Sequence, residues 1–297
     1  MRTSKSTYAI IFSLLAGIFL FVFSGCSLEL SDAGSADQAD GKQQGKQLKV
    51  YFLDVGQGAS QLLVTPSGKT MLIDAGNNDK EQKMLDYMKK YRIDKLDVVI
   101  GTHPDADHIG GLDKVIDHIP VDAIYMPKVQ SNTKTFESLL RSIKNKGLKV
   151  KTAKSGLSWD LDDQVHVDML APTGTYEDTN NMSAVVKVTY GQNSFLLTGD
   201  AEAESEKDMI VSGANLQADV LLVGHHGSNS STTAKFLKQV HPKYAVIQVG
   251  EGNSYGHPKP KILDRLQQQG VEVYRNDKQG TVEVTSDGRS IHIATER

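Results

Sequence analysis

The sequence predicts an α/β protein of two packed β-sheets with helices on their outer faces, and three observations lead to it. Short aliphatic and β-branched runs alternate with segments of helical spacing. The ends of those short runs carry acids and histidines. One unit also occurs twice: strand, turn, strand closing on Asp, helix, and a further strand closing on His. A duplication of this kind suggests two sheets that share one site between the halves.

Taken in order, the chain of 297 residues opens with Arg2 and Lys5 before an apolar run from Tyr8 to Phe23, then Ser24-Gly25-Cys26. A basic start, an apolar stretch and a small-residue cleavage site predict a lipoprotein signal peptide over residues 1–25, with lipidation at Cys26. Phe23 departs from the Leu usual at the third position before such a cysteine. An uncleaved N-terminal anchor is the alternative, although the run is short against the ~20 residues of a stable span. Both readings place the rest of the chain at the cell membrane, on its extracytoplasmic face. Residues 26–47 hold little apolar content and are expected to be a flexible tether. The folded domain is expected over 48–297. Cys26 is the only cysteine, which excludes an internal disulfide and a thiolate metal cage. Any metal must be held by histidines and carboxylates. The net charge of -3 and 6% aromatic content exclude a globally basic or aromatic-striped nucleic-acid binder.

Within the domain, Lys49–Leu53 is a strand leading into Asp54-Val55-Gly56-Gln57-Gly58. Ser60–Thr65 and Thr70–Ile73 are strands joined by a turn at Pro66-Ser67-Gly68-Lys69. The second of them closes on Asp74-Ala75-Gly76. Lys80–Tyr91 has helical spacing, and Val98-Val99-Ile100 is a buried strand that stops at Thr102-His103. In the second half Ala184–Thr189 and Phe195–Leu197 flank a turn and close on Thr198-Gly199-Asp200. A helix fits Glu202–Val211, and Asp219–His225 mirrors Asp97–His103.

The strongest chemical signal is Thr102–Gly111, where His103, Asp105, Asp107 and His108 fall within six positions and two glycines follow. Carboxylates mixed with imidazoles suit divalent metals, and two carboxylates can hold two ions. The plain alternative is an Asx-rich helix cap with incidental histidines. Asp74, Asp200, His225, His226 and His257 all stand in turns at strand ends or in Gly-containing loops. Each has a structural reading of its own: Asp200 as a helix cap, His225 as a core histidine, His257 as a loop residue. Of nine histidines, however, five lie in these three motifs, which is not how surface histidines scatter.

These residues resemble the metallo-beta-lactamase superfamily, and within it the hydrolase domain at the C-terminus of ComEC-type competence proteins. The resemblance rests on Phe52–Gly58, Leu72–Gly76, Thr102–Gly111, Asn180–Ser183, Leu197–Asp200, His225–Ser228, Tyr255–Pro258, and Tyr274–Asp277 with Gly280. It covers about residues 48–295. It implies an αββα sandwich of two mixed sheets with a metal site at their edge. It also implies two divalent ions, Mn²⁺ or Zn²⁺. One would be held by His103, Asp105 and Asp200. The other would be held by Asp107, His108, Asp200 and a late histidine, here His257. His225 and His226 would then be catalytic, one of them protonating the leaving group or stabilising the transition state; the opposite assignment, with His225 or His226 as ligand, stays open. Asp74 would orient a ligand by a hydrogen bond. Asp105 replaces the second His of the superfamily's His-x-His-x-Asp-His pattern. Asn181 and Ser183 stand where a further histidine is absent. That oxygen-rich position shifts preference toward Mn²⁺ or Mg²⁺. Ala59 departs from the Asp usual in these relatives.

The function expected is metal-dependent hydrolysis, with a metal-activated water attacking a phosphodiester of extracellular DNA or a similar substrate. Alternatives are hydrolysis of a small phosphate ester or lactam, and a non-catalytic lipoprotein binding module. Lys128, Lys134, Arg141, Lys144, Lys146, Lys149, Lys151 and Lys154 form a basic stretch. It is either a phosphate-backbone track or a solvated helix face.

Overall fold

The structure is a computed structural model that describes residues 47–297; the signal-peptide and tether expectations for 1–46, Cys26 included, lie outside those residues. Among the described residues no helix is long and apolar enough to cross a membrane.

The first half runs β1 (Leu48–Phe52), β2 (Gln61–Val64), β3 (Thr70–Ile73), α1 (Glu81–Lys90), β4 (Leu96–Ile100), α2 (Ala106–Ile109), α3 (Leu112–His118), β5 (Val121–Met126), α4 (Lys134–Asn145) and β6 (Val150–Thr152). The second runs β7 (Leu157–Asp162), β8 (Val165–Ala171), β9 (Val185–Tyr190), β10 (Asn193–Leu197), α5 (Ala203–Val211), β11 (Val220–Leu222), α6 (Ala234–Val240), β12 (Tyr244–Ile247), α7 (Pro260–Gln268) and β13 (Glu272–Arg275). The short helix α8 (Asn276–Gln279) and strands β14 (Val282–Ser286) and β15 (Ile291–Thr295) close the chain.

One sheet has the order β15-β14-β1-β2-β3-β4-β5-β6 and the other β13-β12-β11-β10-β9-β8-β7. Both are mixed. In the first, β2 and β3 form an antiparallel hairpin, and β4, β5 and β6 follow parallel to β3. In the second, β9 and β10 form the hairpin, and β11, β12 and β13 follow parallel to β10. The repeat is therefore real and extends two crossovers beyond the part legible in the sequence. In the first half the hidden strands lack a clean buried run: β5 is only partly buried, and β6 is exposed at all three positions.

Alternation explains the layers. In β1, Val50 and Phe52 face the other sheet, while Tyr51 and Leu53 face the helices. In β4, Val98 and Ile100 point inward and Val99 outward. Strands buried on both faces read as near-continuous apolar runs. Phe195 and Leu197 from β10 meet Phe52 and Ile100 in the central core. Helices α1, α3 and α4 cover the first sheet. Helices α5, α6 and α7 cover the second. The result is the expected αββα arrangement. Because β3–β6 run parallel, their C-terminal ends share one edge of the first sheet. The ends of β10–β13 share an edge of the second. In parallel sheets those ends are where ligands bind.

Candidate metal centre

Asp74 follows β3 in a left-handed conformation, φ 58°. That turn points its carboxylate inward, where it is fully buried. A buried carboxylate must be paired. The Thr102 N–H donates to Oδ1 at 2.8 Å, and the Thr102 hydroxyl donates to Oδ2 at 2.7 Å. His108 Nδ1 lies 2.7 Å from the same Oδ2. This bond fixes the His108 ring so that Nε2 faces the site, 3.0 Å from Asp200 Oδ1. Asp74 thus orients a donor and does not itself reach the centre. Asp74→Asn is expected to weaken divalent-metal binding about 10- to 100-fold while the chain stays folded. Competition titration against a metal indicator checks this; unchanged affinity contradicts the orienting role.

His103 follows β4 and is also fully buried. Its Nδ1 lies 3.1 Å from the Thr102 hydroxyl and 3.3 Å from that of Ser183. Its Nε2 has no hydrogen-bond partner. Asp105 Oδ2 and Asp200 Oδ2 each stand 3.9 Å from that nitrogen. Short helix α2 then carries Asp107 and His108 toward the second sheet. Its end demands Gly110, where a Cβ would lie 2.3 Å from the Asn78 backbone nitrogen.

From the second sheet, Asp200 follows β10, and its N–H donates to Ser183 Oγ at 3.1 Å. His225 and His226 follow β11 with consecutive left-handed φ values of 49° and 55°. Such backbone costs on the order of 1–3 kcal/mol per residue and persists where the surroundings impose it. Its effect here is to turn both rings toward the centre. His226 Nδ1 donates to the Gln248 carbonyl at 2.7 Å. Its Nε2 stands 3.3 Å from Asp107 Oδ2 and 3.6 Å from Asp200 Oδ2. His225 Nδ1 lies 3.0 Å from Glu202 Oε1, with Nε2 3.6 Å from Asp200 Oδ2. His257 follows β12 on a loop, its ring 5.8 Å from that of His225.

The buried charges balance one another. Burial would push Asp200 up, but His108 and His226 outweigh it and hold the carboxyl well below the usual range. Burial also opposes ionisation of Asp107, yet the His226 hydrogen bond and His108 bring it down to about 2. His108 is raised well above an ordinary imidazole because Asp200 and Asp74 outweigh burial. His226 is raised by Asp200 and Asp107 against the same penalty. Burial, with His108 adding to it, drives His103 down to about 4. Burial and then His225 bring His257 to about 4.

These shifts fix signs. The raised His108 stabilises the metal-free chain fully below the ordinary imidazole range, a contribution lost as pH rises through its folded value. The depressed Asp107 contributes above the ordinary carboxylate range, lost as pH falls toward about 2. Divalent ions compete with the imidazole protons. Metal affinity should therefore rise with pH, and binding should release protons. Calorimetry in buffers of different ionisation enthalpy measures that release; pH-independent affinity across neutral pH contradicts it.

Among the described residues two donor groups have atoms within 4.8 Å of one another: His103, His108 and Asp200, and Asp107, His108 and His226. The residues fit a cation. An unpartnered, buried imidazole nitrogen faces two carboxylates, and every donor is nitrogen or oxygen, as hard or borderline divalent ions prefer. His226 lies within ligand reach of Asp107 and His108, whereas His225 and His257 stand outside both groups, as does Asp105, which approaches only His103 Nε2 at 3.9 Å. Asn181 sits away from the donors: its Oδ1 accepts the N–H groups of Glu202 and Ser205 at 3.2 and 3.1 Å, capping α5. Ser183 touches both His103 and Asp200. Ala59 serves through its backbone, donating to the Asp107 carbonyl at 3.1 Å. No supporting role was read from the sequence for three contributors: Thr102, Glu202 and Gln248. Thr102 and Glu202 each stand within two residues of a motif acid or histidine; Gln248 has no sequence signal.

Residues 53–251 match the metallo-beta-lactamase superfamily. Over 254 residues the chain is 34% identical to ComE operon protein 3 of Bacillus subtilis (strain 168), covering 79% of this chain and 32% of that protein. It is 30% identical over 239 residues to Competence protein ComA of Neisseria gonorrhoeae, again 79% of this chain and 32% of that protein. The chain thus spans about a third of the length of these relatives. Among solved structures, the metallo hydrolase Igni18 from Ignicoccus hospitalis KIN4/I aligns with TM-score 0.51 at 15% identity, covering 79% of this chain and 98% of that one. The metallo-beta-lactamase fold protein YhfI from Bacillus subtilis aligns with TM-score 0.50 at 14% identity, covering 80% and 99%. Matched over most of its folded domain, with the same αββα layers and a histidine–carboxylate cluster at the sheet edge, the chain belongs to the metallo-beta-lactamase superfamily of metal-dependent hydrolases.

Proposed function

We propose that the chain is a phosphodiesterase whose donors hold two divalent ions. The observation that carries this reading is the pairing of an acceptor-rich donor cluster with an independently oriented imidazole. His103, Asp105 and Asp200 would hold one ion. Asp107, His108 and His226 would hold the other, with Asp200 between them. When bound, the ions supply Lewis-acid activation of water and neutralise phosphate oxygens. His226 thereby takes the ligand role that the resemblance suggested for His257.

The chain's own residues do the rest. Glu202 holds His225 at Nδ1, so that Nε2 faces the reaction centre and delivers a proton to the departing oxygen. Thr102 and Asp74 hold His108, while Ser183 steadies His103 and Asp200. The charge balance of the metal-free site, set by acids and imidazoles in contact, keeps the donors in place before binding. The basic stretch divides in two. Lys134, Arg141 and Lys144 are exposed residues of α4, whose buried face is Phe136, Leu139 and Ile143. Lys128 and Lys154 are exposed just past the C-terminal ends of β5 and β6, the edge that bears His103. We take these two as the residues that meet a polyanion. We also take the chain to act outside the cytoplasm, tethered through Cys26, on extracellular DNA or a similar phosphodiester.

The test is to strip the purified chain of metal, restore Mn²⁺ or Zn²⁺, and assay DNA, RNA, bis(p-nitrophenyl) phosphate and a chromogenic lactam. Metal-dependent cleavage of phosphodiesters, faster with Mn²⁺, is expected. Lactam cleavage without phosphodiester cleavage overturns the proposal.

A further inference from the structure

Four large hydrophobic side chains are exposed among the described residues: Leu140, Val150, Val211 and Tyr255. Single exposed apolar residues are ordinary. Tyr255 differs from the others in kind and place. It is the aromatic one, 61% exposed. It lies on the loop after β12, at the strand edge that carries the site. Its ring stacks on His257, centroids 5.7 Å apart and planes at 22°. His257 in turn packs edge-on against His225, at 5.8 Å and 78°. A row of rings therefore leads from the centre to an open aromatic face.

The loop that presents this face is tied down. Asn253 Nδ2 donates to the carbonyls of Gly250 and His257 at 3.0 and 2.8 Å, and its Oδ1 accepts the His257 N–H at 3.0 Å. Gln57 Oε1 accepts the Gly250 N–H at 3.2 Å, joining the loop to the first sheet. The Lys259 N–H donates to the Gly227 carbonyl at 2.9 Å, joining it to the histidine turn. Gly227 must be glycine: at φ +82° its Cβ would stand 2.5 Å from that of Pro258. Lys259 Nζ donates to the Tyr255 backbone carbonyl at 2.6 Å, so the same loop also carries an ammonium group. An exposed aromatic plane on a tied-down loop that also carries a cation is an arrangement that single-stranded nucleic acids stack on.

We infer that Tyr255 stacks on the nucleobase flanking the attacked phosphate, so that the substrate class is a single-stranded or frayed nucleic acid. This rests on the phosphodiesterase reading above. Tyr255 touches the base and not the reacting atoms, so its contribution falls on KM more than on kcat.

The experiment compares wild type, Tyr255→Ala and Tyr255→Phe on single-stranded DNA oligonucleotides carrying either a base or an abasic sugar beside the cleaved bond. Wild type should favour the base-bearing strand in kcat/KM by about 5- to 150-fold. That preference should vanish in Tyr255→Ala and persist in Tyr255→Phe, which keeps the plane. Binding of a phosphorothioate strand containing 2-aminopurine supplies a second readout: its fluorescence should be quenched by wild type and Tyr255→Phe, and not by Tyr255→Ala. A preference unchanged in Tyr255→Ala, or absent from a wild type that cleaves bis(p-nitrophenyl) phosphate, overturns the stacking role alone. A wild type that cleaves no phosphodiester overturns the underlying function as well.

Discussion

Asp200→Asn is expected to abolish metal-dependent hydrolysis and strip the centre of metal at both positions. The substitution keeps the side chain's size and its N–H contact with Ser183 Oγ at 3.1 Å. It removes the charge that faces His103, His108, His225 and His226 at 3.9, 3.0, 3.6 and 3.6 Å. Among the described residues no other carboxylate reaches all four rings. The rate should fall by more than ~100-fold, beyond what disturbing a ligand's hydrogen-bond partner produces. Metal analysis of the purified variant, read with its phosphodiesterase rate, checks both parts. Two equivalents of metal retained at wild-type affinity would refute the bridging role.

His225→Ala should separate acid catalysis from metal binding. His225 stands outside both donor groups, and Glu202 holds its far nitrogen at 3.0 Å. Its loss should spare metal content and lower the rate about 10²–10⁴-fold on a nucleic-acid substrate. The penalty should shrink for bis(p-nitrophenyl) phosphate, whose leaving group needs little protonation. His226→Ala should behave in the opposite way, losing metal and losing rate on every substrate alike. An unchanged penalty across leaving groups, or metal lost from His225→Ala, would return His225 to the ligand set.

These two histidines show where reading the sequence stops. Adjacent in the chain, both following a buried strand, they carry the same local signal. Consecutive left-handed residues send one ring toward Asp107 and the other toward Glu202. Their directions depend on Gln248 and Glu202, which come from other elements. The role of Asn181 is likewise non-local: read from the sequence only as a neighbour of the metal position, its side chain accepts the Glu202 and Ser205 N–H groups at the start of α5. Strands β5, β6 and β7 were missed because few of their positions are fully buried, a pattern that looks like solvated loop until a sheet lies beside it.

By itself the sequence determined the layered α/β fold, the duplicated unit and the pool of nitrogen and oxygen donors at strand ends. Those features are written in local periodicity and residue type, which survive without tertiary contacts. Only the tertiary structure decided which donors meet. Asp74 reaches His108 across 34 positions, His226 reaches Asp107 across more than 100, and Gln248 links β12 to β1. Metal-ligand geometry is set to within an ångström by such non-local hydrogen bonds. A chain read residue by residue can name the ligands it has available, and folding brings particular ones within coordinating distance.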